Sequence, residues 1–153
     1  NKWSIGKMKI RLAQLQYANA IADIASSLGY QSDVSENVAK QRLEQLLLSS
    51  KDKIWVAEMD GHVIGWLHAQ HAFRVASADF IEILGLSISD QMRLKGAGRA
   101  LVEQAKEWAF DEKVALRVRT NDVRDSAKKF YKALGFSCAK TQSVFQFEKQ
   151  EMS

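Results

Sequence analysis

Apolar and polar positions change their spacing several times along this chain, and each change marks an element. Met8 to Leu12 read as a first short strand. From Gln14 to Leu28, the residues Leu15, Ala18, Ala22, Ala25 and Leu28 recur at helical spacing and predict a first helix, which Gly29 stops. Asp33 with Glu36 three residues on forms a capping-box pattern, opening a second helix that carries Val38, Leu43, Leu46 and Leu47 toward Ser49. The runs Ile54–Met59 and His62–His68 flank Asp60-Gly61, a dipeptide that takes positive φ readily and so predicts a two-residue hairpin. Phe80–Ile88 is apolar at both alternations for much of its length, which predicts a central strand covered on both faces, with Glu82 standing out inside it. A helix from Gly96 to Glu112 presents Leu101, Ala105 and Trp108 on one side.

Strand Val114–Thr120 comes next, so that strand, helix and strand form a crossover unit whose two strands should lie parallel. A last helix begins near Asp125, is expected to bury Ala127, Phe130, Tyr131 and Leu134, and ends at Gly135. Two closing strands are expected at Ser137–Lys140 and Val144–Phe147. The elements add up to an α/β fold: a mixed, mostly antiparallel sheet with one parallel crossover pair and about four helices.

Composition narrows the class. A chain of 153 residues, 46% of them apolar, is enough for one domain with a core and hardly enough for two, so a single domain over 1–153 is expected. Residues 1–6 read as a tag remnant or a trimmed terminus. No apolar run approaches the roughly 20 residues of a membrane span, and no secretory layout opens the chain, so a soluble cytoplasmic protein without a membrane partner is expected. Cys138, the one cysteine, excludes an internal disulfide and a cysteine-rich zinc site, and reads as a buried structural thiol. His68-x-x-His71 invites a metal, but a strand places the two on opposite faces and no further ligand cluster accompanies them, so no metal is expected.

The net charge of +4 is unevenly placed. Residues 91–140 hold 12 Lys/Arg against 6 Asp/Glu, a net of +6, while the remainder has 10 against 12, a net of −2. A basic segment suits nucleic acid, an anionic surface or a polyphosphate ligand. Aromatic stacking platforms interleaved with those bases are missing, and no nucleic-acid motif appears, which argues against a nucleic-acid partner.

The chemistry concentrates where the central strand meets the third helix, in Arg93-Leu94-Lys95-Gly96-Ala97-Gly98-Arg99. Its glycines permit a tight turn and close backbone approach, and the free N–H groups of the first helical turn make an anion site. The loop lacks the Gly-Lys-Ser/Thr ending of a nucleotide P-loop, and Leu101 stands where a dinucleotide fingerprint wants glycine or alanine. Taken alone, it could equally be a helix start that uses glycine to leave a strand.

Arg93-x-x-Gly96-x-Gly98 resembles the Gln/Arg-x-x-Gly-x-Gly/Ala signature of the GNAT superfamily of acetyl-CoA-dependent N-acetyltransferases, in the strand–loop–helix setting of that family. Leu86-Ser-Ile88 is similar to its central-strand ending, and Arg117-Val-Arg-Thr-Asn121 followed by Ala127-x-x-Phe-Tyr-x-x-Leu-Gly-Phe136 resembles its next strand and last helix. The likeness is close over most of 54–148 and only in kind over the two N-terminal helices. Ser89-Asp90 and Met92 depart from it, at a turn where relatives often carry proline and an aromatic.

The resemblance implies a sheet splayed where its two parallel strands part, so that acetyl-CoA, as cosubstrate, inserts between them. The backbone of Leu94, Lys95, Gly96, Ala97, Gly98 and Arg99 would hold the pyrophosphate, and that of Leu86 and Ile88 would pair with the pantetheine arm. Asn121 would face the pantetheine, and Arg93, Lys95, Arg99, Arg124 and Lys128 are candidates for phosphate contacts. Tyr131 resembles the tyrosine that the family aims at the CoA sulfur as general acid; the alternative is a core aromatic on the Phe130/Leu134 stripe. Glu82 resembles the family's occasional general base, and burial among apolar neighbours would make a carboxylate basic enough for that work. Its alternative is a carboxylate paired with a nearby Lys or Arg, or exposed at a strand edge.

The implied activity is acetyl transfer to a primary amine by direct attack in a ternary complex. A small amine, an amino-acid-like metabolite, an aminoglycoside, a polyamine and a protein amine stay open as acceptors. A catalytically silent CoA-binding regulatory or interaction module stays open as well, and so does a homodimer.

Overall fold

A computed structural model describes residues 7–27, 36–92, 96–121 and 125–151. The chain divides into two compact units, 1–119 and 120–153. The first holds strand β1 (Met8–Leu12), helices α1 (Ala18–Ser27) and α2 (Glu36–Leu48), strands β2 (Asp52–Met59), β3 (His62–Ala72) and β4 (Phe80–Ile88), helix α3 (Ala97–Glu112) and strand β5 (Ala115–Val118). The second holds helix α4 (Asp125–Ala133).

One sheet of order β1-β2-β3-β4-β5 organises the first unit. Its first three pairings are antiparallel, and β4 pairs parallel with β5 across α3, as the crossover pattern requires. Between β2 and β3, Asp60 and Gly61 stand at φ 52° and 80°, the positive values that a tight two-residue turn demands at both central positions. Side chains alternate across the sheet, and the two sets of helices take opposite faces. Ile54, Val56 and Trp66 lie with Ala18, Ile21 and Leu43 of α1 and α2. On the other face Trp55 meets Trp108 of α3 edge-on, with ring centroids 5.9 Å apart. Leu67, Ile81, Leu101 and Val102 are completely enclosed, each burial contributing about 1.5–3 kcal/mol.

The first helix differs in detail from the sequence pattern, since a 3-10 turn at Leu15–Tyr17 precedes α1. Leu28, Gly29 and the capping aspartate Asp33 lie outside the described residues. Helix α3 keeps its predicted end, where Lys113 at φ 59° takes the left-handed cap usually given to glycine and its N–H reaches the carbonyls of Ala109 and Phe110. Among the described residues no helix is long and apolar enough to cross a membrane.

Three expectations are corrected in the second unit. The closing strands at 137–140 and 144–147 do not form: among the described residues, 137–151 carries no regular structure, and Val144, Phe145 and Phe147 are exposed. Alternation of Phe145 and Phe147 is a local strand signal, whereas a ladder needs backbone partners from elsewhere, and this segment has none there. Cys138, expected to be buried, belongs to the same segment and is exposed. The α4 stripe is only half-buried at Ala127, Phe130 and Tyr131, and Leu134 alone of the four is buried. Tyr131 packs edge-on to Phe130 and Phe136, at 5.0 and 5.4 Å between centroids, and Gly135 at φ 95° ends the helix as predicted.

Candidate active site

Strand β4 has two unlike halves. Phe80–Ile83 lies between β3 and β5, in register with Ala115–Val118 on one side and His71–Ala69 and Ala72 on the other. From Leu84 to Ile88 the strand keeps β3 and has no partner on the β5 side among the described residues. The change coincides with a bulge: the register steps from Ala69↔Ile83 to His68↔Gly85, leaving Leu84 as the extra residue. Leu84 is 49% exposed, so the expectation of a strand covered on both faces fails at the point where the bulge takes it out of alternation. Parallel pairing therefore ends at Ile83 and Val118, at the place where the splay is expected.

Two glycines set the backbone at this parting. A Cβ on Gly85 would stand 2.7 Å from the Trp66 ring, and one on Gly65 would stand 2.6 Å from Ile88 Cδ1 and 3.1 Å from the Ser87 carbonyl. Neither position can carry a side chain without moving its neighbour. Ser87, on the open half, is buried, and its Oγ has no hydrogen-bond partner among the described residues.

Helix α3 begins just beyond. Gly96 is its N-cap at φ 89°, a left-handed conformation that glycine adopts without strain, and no side chain caps the helix there. The N–H groups of Ala97, Gly98 and Arg99 thus have no partner within the helix, and the positive end of its dipole suits an anion. Ala97 is buried, Gly98 half-buried and Arg99 exposed. Arg93, Leu94, Lys95 and Arg124 lie outside the described residues. An unpaired strand edge and an uncapped helix start fit the two ends of CoA, an amide-bearing arm and a pyrophosphate.

On the face of the sheet shared with α1 and α2, register places Asp52, Gln70, Glu82 and Arg117 in one row. Glu82, its side chain 14% exposed, accepts from Arg119 Nε at 2.9 Å, so the alternative of a carboxylate paired with a nearby cation is the arrangement found. Arg117 lies over the Phe80 ring, 3.9 Å from its centroid. At the other end Asp52, its side chain 4% exposed, accepts hydrogen bonds from Ser49 Oγ at 2.6 Å and Gln70 Nε2 at 3.1 Å, and stands 2.7 Å from His68 Nε2. Burial by itself would raise the Asp52 pKa. The hydrogen bonds from Ser49, His68 and Gln70 outweigh it and hold the carboxyl below the usual carboxylate range.

His71 faces the other way. Its Nε2 lies 2.6 Å from Asp79 Oδ2, and its ring stacks on Phe73 at 4.1 Å between centroids. The His71 hydrogen bond lowers the Asp79 pKa. His68 and His71 thus share no site, and each holds a carboxylate of its own. Sequence reasoning weighed His68 only as a metal ligand and missed Asp52, because their meeting depends on the β2–β3 register. In the second unit Asn121 is exposed at the start, and Lys128 and Tyr131 lie half-buried on α4.

The model of the acetyltransferase (GNAT) family matches residues 18–136. No curated protein matches the chain in sequence. Among solved structures, the aminoglycoside N-acetyltransferase AAC(6')-Iy in complex with CoA superposes with a TM-score of 0.77 at 19% identity, over 94% of this chain and 95% of its own. The aminoglycoside acetyltransferase meta-AAC0020, from an uncultured soil metagenomic sample, gives 0.80 at 16% identity over 96% and 99%. A transcriptional regulator from Bacillus halodurans C-125 gives 0.80 at 19% identity over 92% and 99%. At these identities the likeness is one of fold.

Proposed function

Because the chain belongs to the GNAT acetyltransferase family, matched from residue 18 to 136, we propose that it transfers an acetyl group from acetyl-CoA to a primary amine by direct attack in a ternary complex. The observation that carries this reading is the open half of β4, Leu84–Ile88, beside the uncapped start of α3. The pantetheine amides add to that half as a further strand would, through Leu86 and Ile88, and Asn121 is a further candidate for contact with the arm. The pyrophosphate rests on the amides from Leu94 to Arg99, with Arg93, Lys95, Arg99, Arg124 and Lys128 supplying charge. Tyr131 protonates the departing thiolate.

The acceptor is a small amine. Two of the structural relatives are aminoglycoside acetyltransferases by name, which supports an amino sugar as one member of the test set. Arg117 and Arg119 beside Glu82 support a second, an amine that also bears a carboxylate. The Glu82–Arg119 pair also favours the rival reading of a CoA-binding module without turnover, since it occupies a carboxylate that the chemistry would otherwise use. Amine-dependent release of CoA, measured over aminoglycosides, polyamines and amino acids, decides between them. Release with any one supports transfer; binding of acetyl-CoA with no release from any supports the silent module.

A further inference from the structure

The attacking amine must lose a proton, and Glu82 is held by Arg119. The neighbouring row on the same face, Ile54, His68 and Gly85, offers another base. Helix α3 packs on one face of the sheet with Leu101, Val102 and Ala105, and the row of polar side chains lies on the opposite face, which it shares with α1 and α2. On that face His68 stands directly across from Gly85, at the bulge where β4 opens, with the Trp66 ring lying over the same glycine. Asp52 fixes the imidazole: an ionised carboxylate only accepts, so the proton between them belongs to Nε2 and the lone pair to Nδ1. Nδ1 makes no hydrogen bond among the described residues, and the side chain is 18% exposed, enough to be reached. Ser49 and Gln70 hold Asp52 from two more directions, and Gln70 is the register partner of Glu82.

We propose that His68, oriented by Asp52, is the general base that takes the proton from the acceptor amine. The inference rests on the acetyl-transfer reading. As the amine nitrogen forms its bond to the acetyl carbon, one N–H proton passes to Nδ1. The C–S bond then breaks with its electron pair on sulfur, the thiolate takes a proton from Tyr131 or water, and His68 returns its own proton to solvent. The charged groups facing the imidazole are Asp52 from β2 and, along the row of Asp52, Glu82 from β4 and Arg117 and Arg119 from β5 and its end. The described charges of α1 and α2, Asp23, Lys40, Arg42 and Glu44, are exposed.

The test is the single-turnover rate at saturating acetyl-CoA, with the best amine found, across pH 5.5 to 9, for the wild type, His68→Gln, Asp52→Asn and Glu82→Gln. The wild-type rate should rise with pH and then level off, as a general base requires. His68→Gln should lose that limb and fall roughly 10²- to 10⁴-fold, with acetyl-CoA affinity and circular dichroism unchanged. Asp52→Asn should keep a weaker limb, and Glu82→Gln should keep its shape. A folded His68→Gln protein that binds acetyl-CoA normally and retains the limb overturns the proposal and leaves acetyl transfer standing. A wild type that binds acetyl-CoA but releases no CoA with any amine overturns the acetyl-transfer reading, and the proposal with it.

Discussion

The two halves of β4 come from one continuous strand and do different work. Phe80–Ile83 is closed on both edges, and Phe80, Ile81 and Ile83 are buried. Leu84–Ile88 is closed on one edge, begins with the exposed bulge residue Leu84, and carries a buried hydroxyl with no described partner at Ser87. An unpaired edge ordinarily invites another chain. Helix α3 follows it in sequence with no side-chain cap at Gly96, and among the described residues these two sets of unsatisfied donors and acceptors suit the proposed ligand, with amides at one end and phosphates at the other. One half of the strand is committed to the core, and the other is the half proposed for binding.

The sharpest way to break this comparison is to ask whether the chain performs the proposed chemistry at all. Tyr131→Phe keeps the ring that packs on Phe130 and Phe136 and removes the hydroxyl. With Tyr131 as the proposed proton donor, the single-turnover rate should fall roughly 10²- to 10⁴-fold with acetyl-CoA affinity unchanged. An unchanged rate would leave departure of the thiolate to solvent or backbone dipoles. Next in size is a paired stability measurement by denaturant unfolding. Ile81→Ala, in the closed half and fully enclosed, should cost about 2–5 kcal/mol, whereas Leu84→Ala in the open half should cost under about 1 kcal/mol. Equal losses would erase the distinction between the halves.

A ligand should sharpen it. Acetyl-CoA at a hundred times its dissociation constant should add about 2.7 kcal/mol to stability. In hydrogen exchange, the amides of Leu84–Ile88 that open locally should slow by a larger factor than those of Phe80–Ile83; equal slowing along β4 would mean that the ligand does not rest on the open edge.

The smallest effect concerns pH. The folded-state pKa of Asp52 is lowered, so the stability it contributes is fully present above the ordinary carboxylate range and is lost as pH falls through the lowered folded value. Asp52→Asn should therefore flatten the acid limb of the stability curve below about pH 4 while leaving its shape near neutrality unchanged. A curve of identical shape in both proteins would remove Asp52 from the acid transition.

Much of this was legible where the signal is local. Asp60-Gly61 announces its turn because only the backbone of those two residues must reach positive φ. The α3 stripe of Leu101, Ala105 and Trp108 announces the helix and its buried side together, since one turn of helix decides both. The glycine loop and Arg-x-x-Gly-x-Gly spacing pointed to the family for the same reason. The ion pair that claims Glu82 was weighed as an alternative, but its partner, Arg119, could not be chosen from composition.

What the sequence alone determined, then, is the order of elements through β5 and α4, the crossover, and the loop that begins α3. Tertiary structure decided the rest. It placed the bulge at Leu84, where β4 stops pairing with β5. It brought His68 to Asp52 and turned His71 to Asp79 on the other face, and it left 137–151 without a ladder despite its alternating phenylalanines. The physical reason is common to all of these. Periodicity and capping are energies between residues a few positions apart, readable in a row of letters. Strand pairing and cross-strand contacts are energies between residues on different elements, 16 apart for His68 and Asp52 and 8 for His71 and Asp79, and they exist only once the register is set.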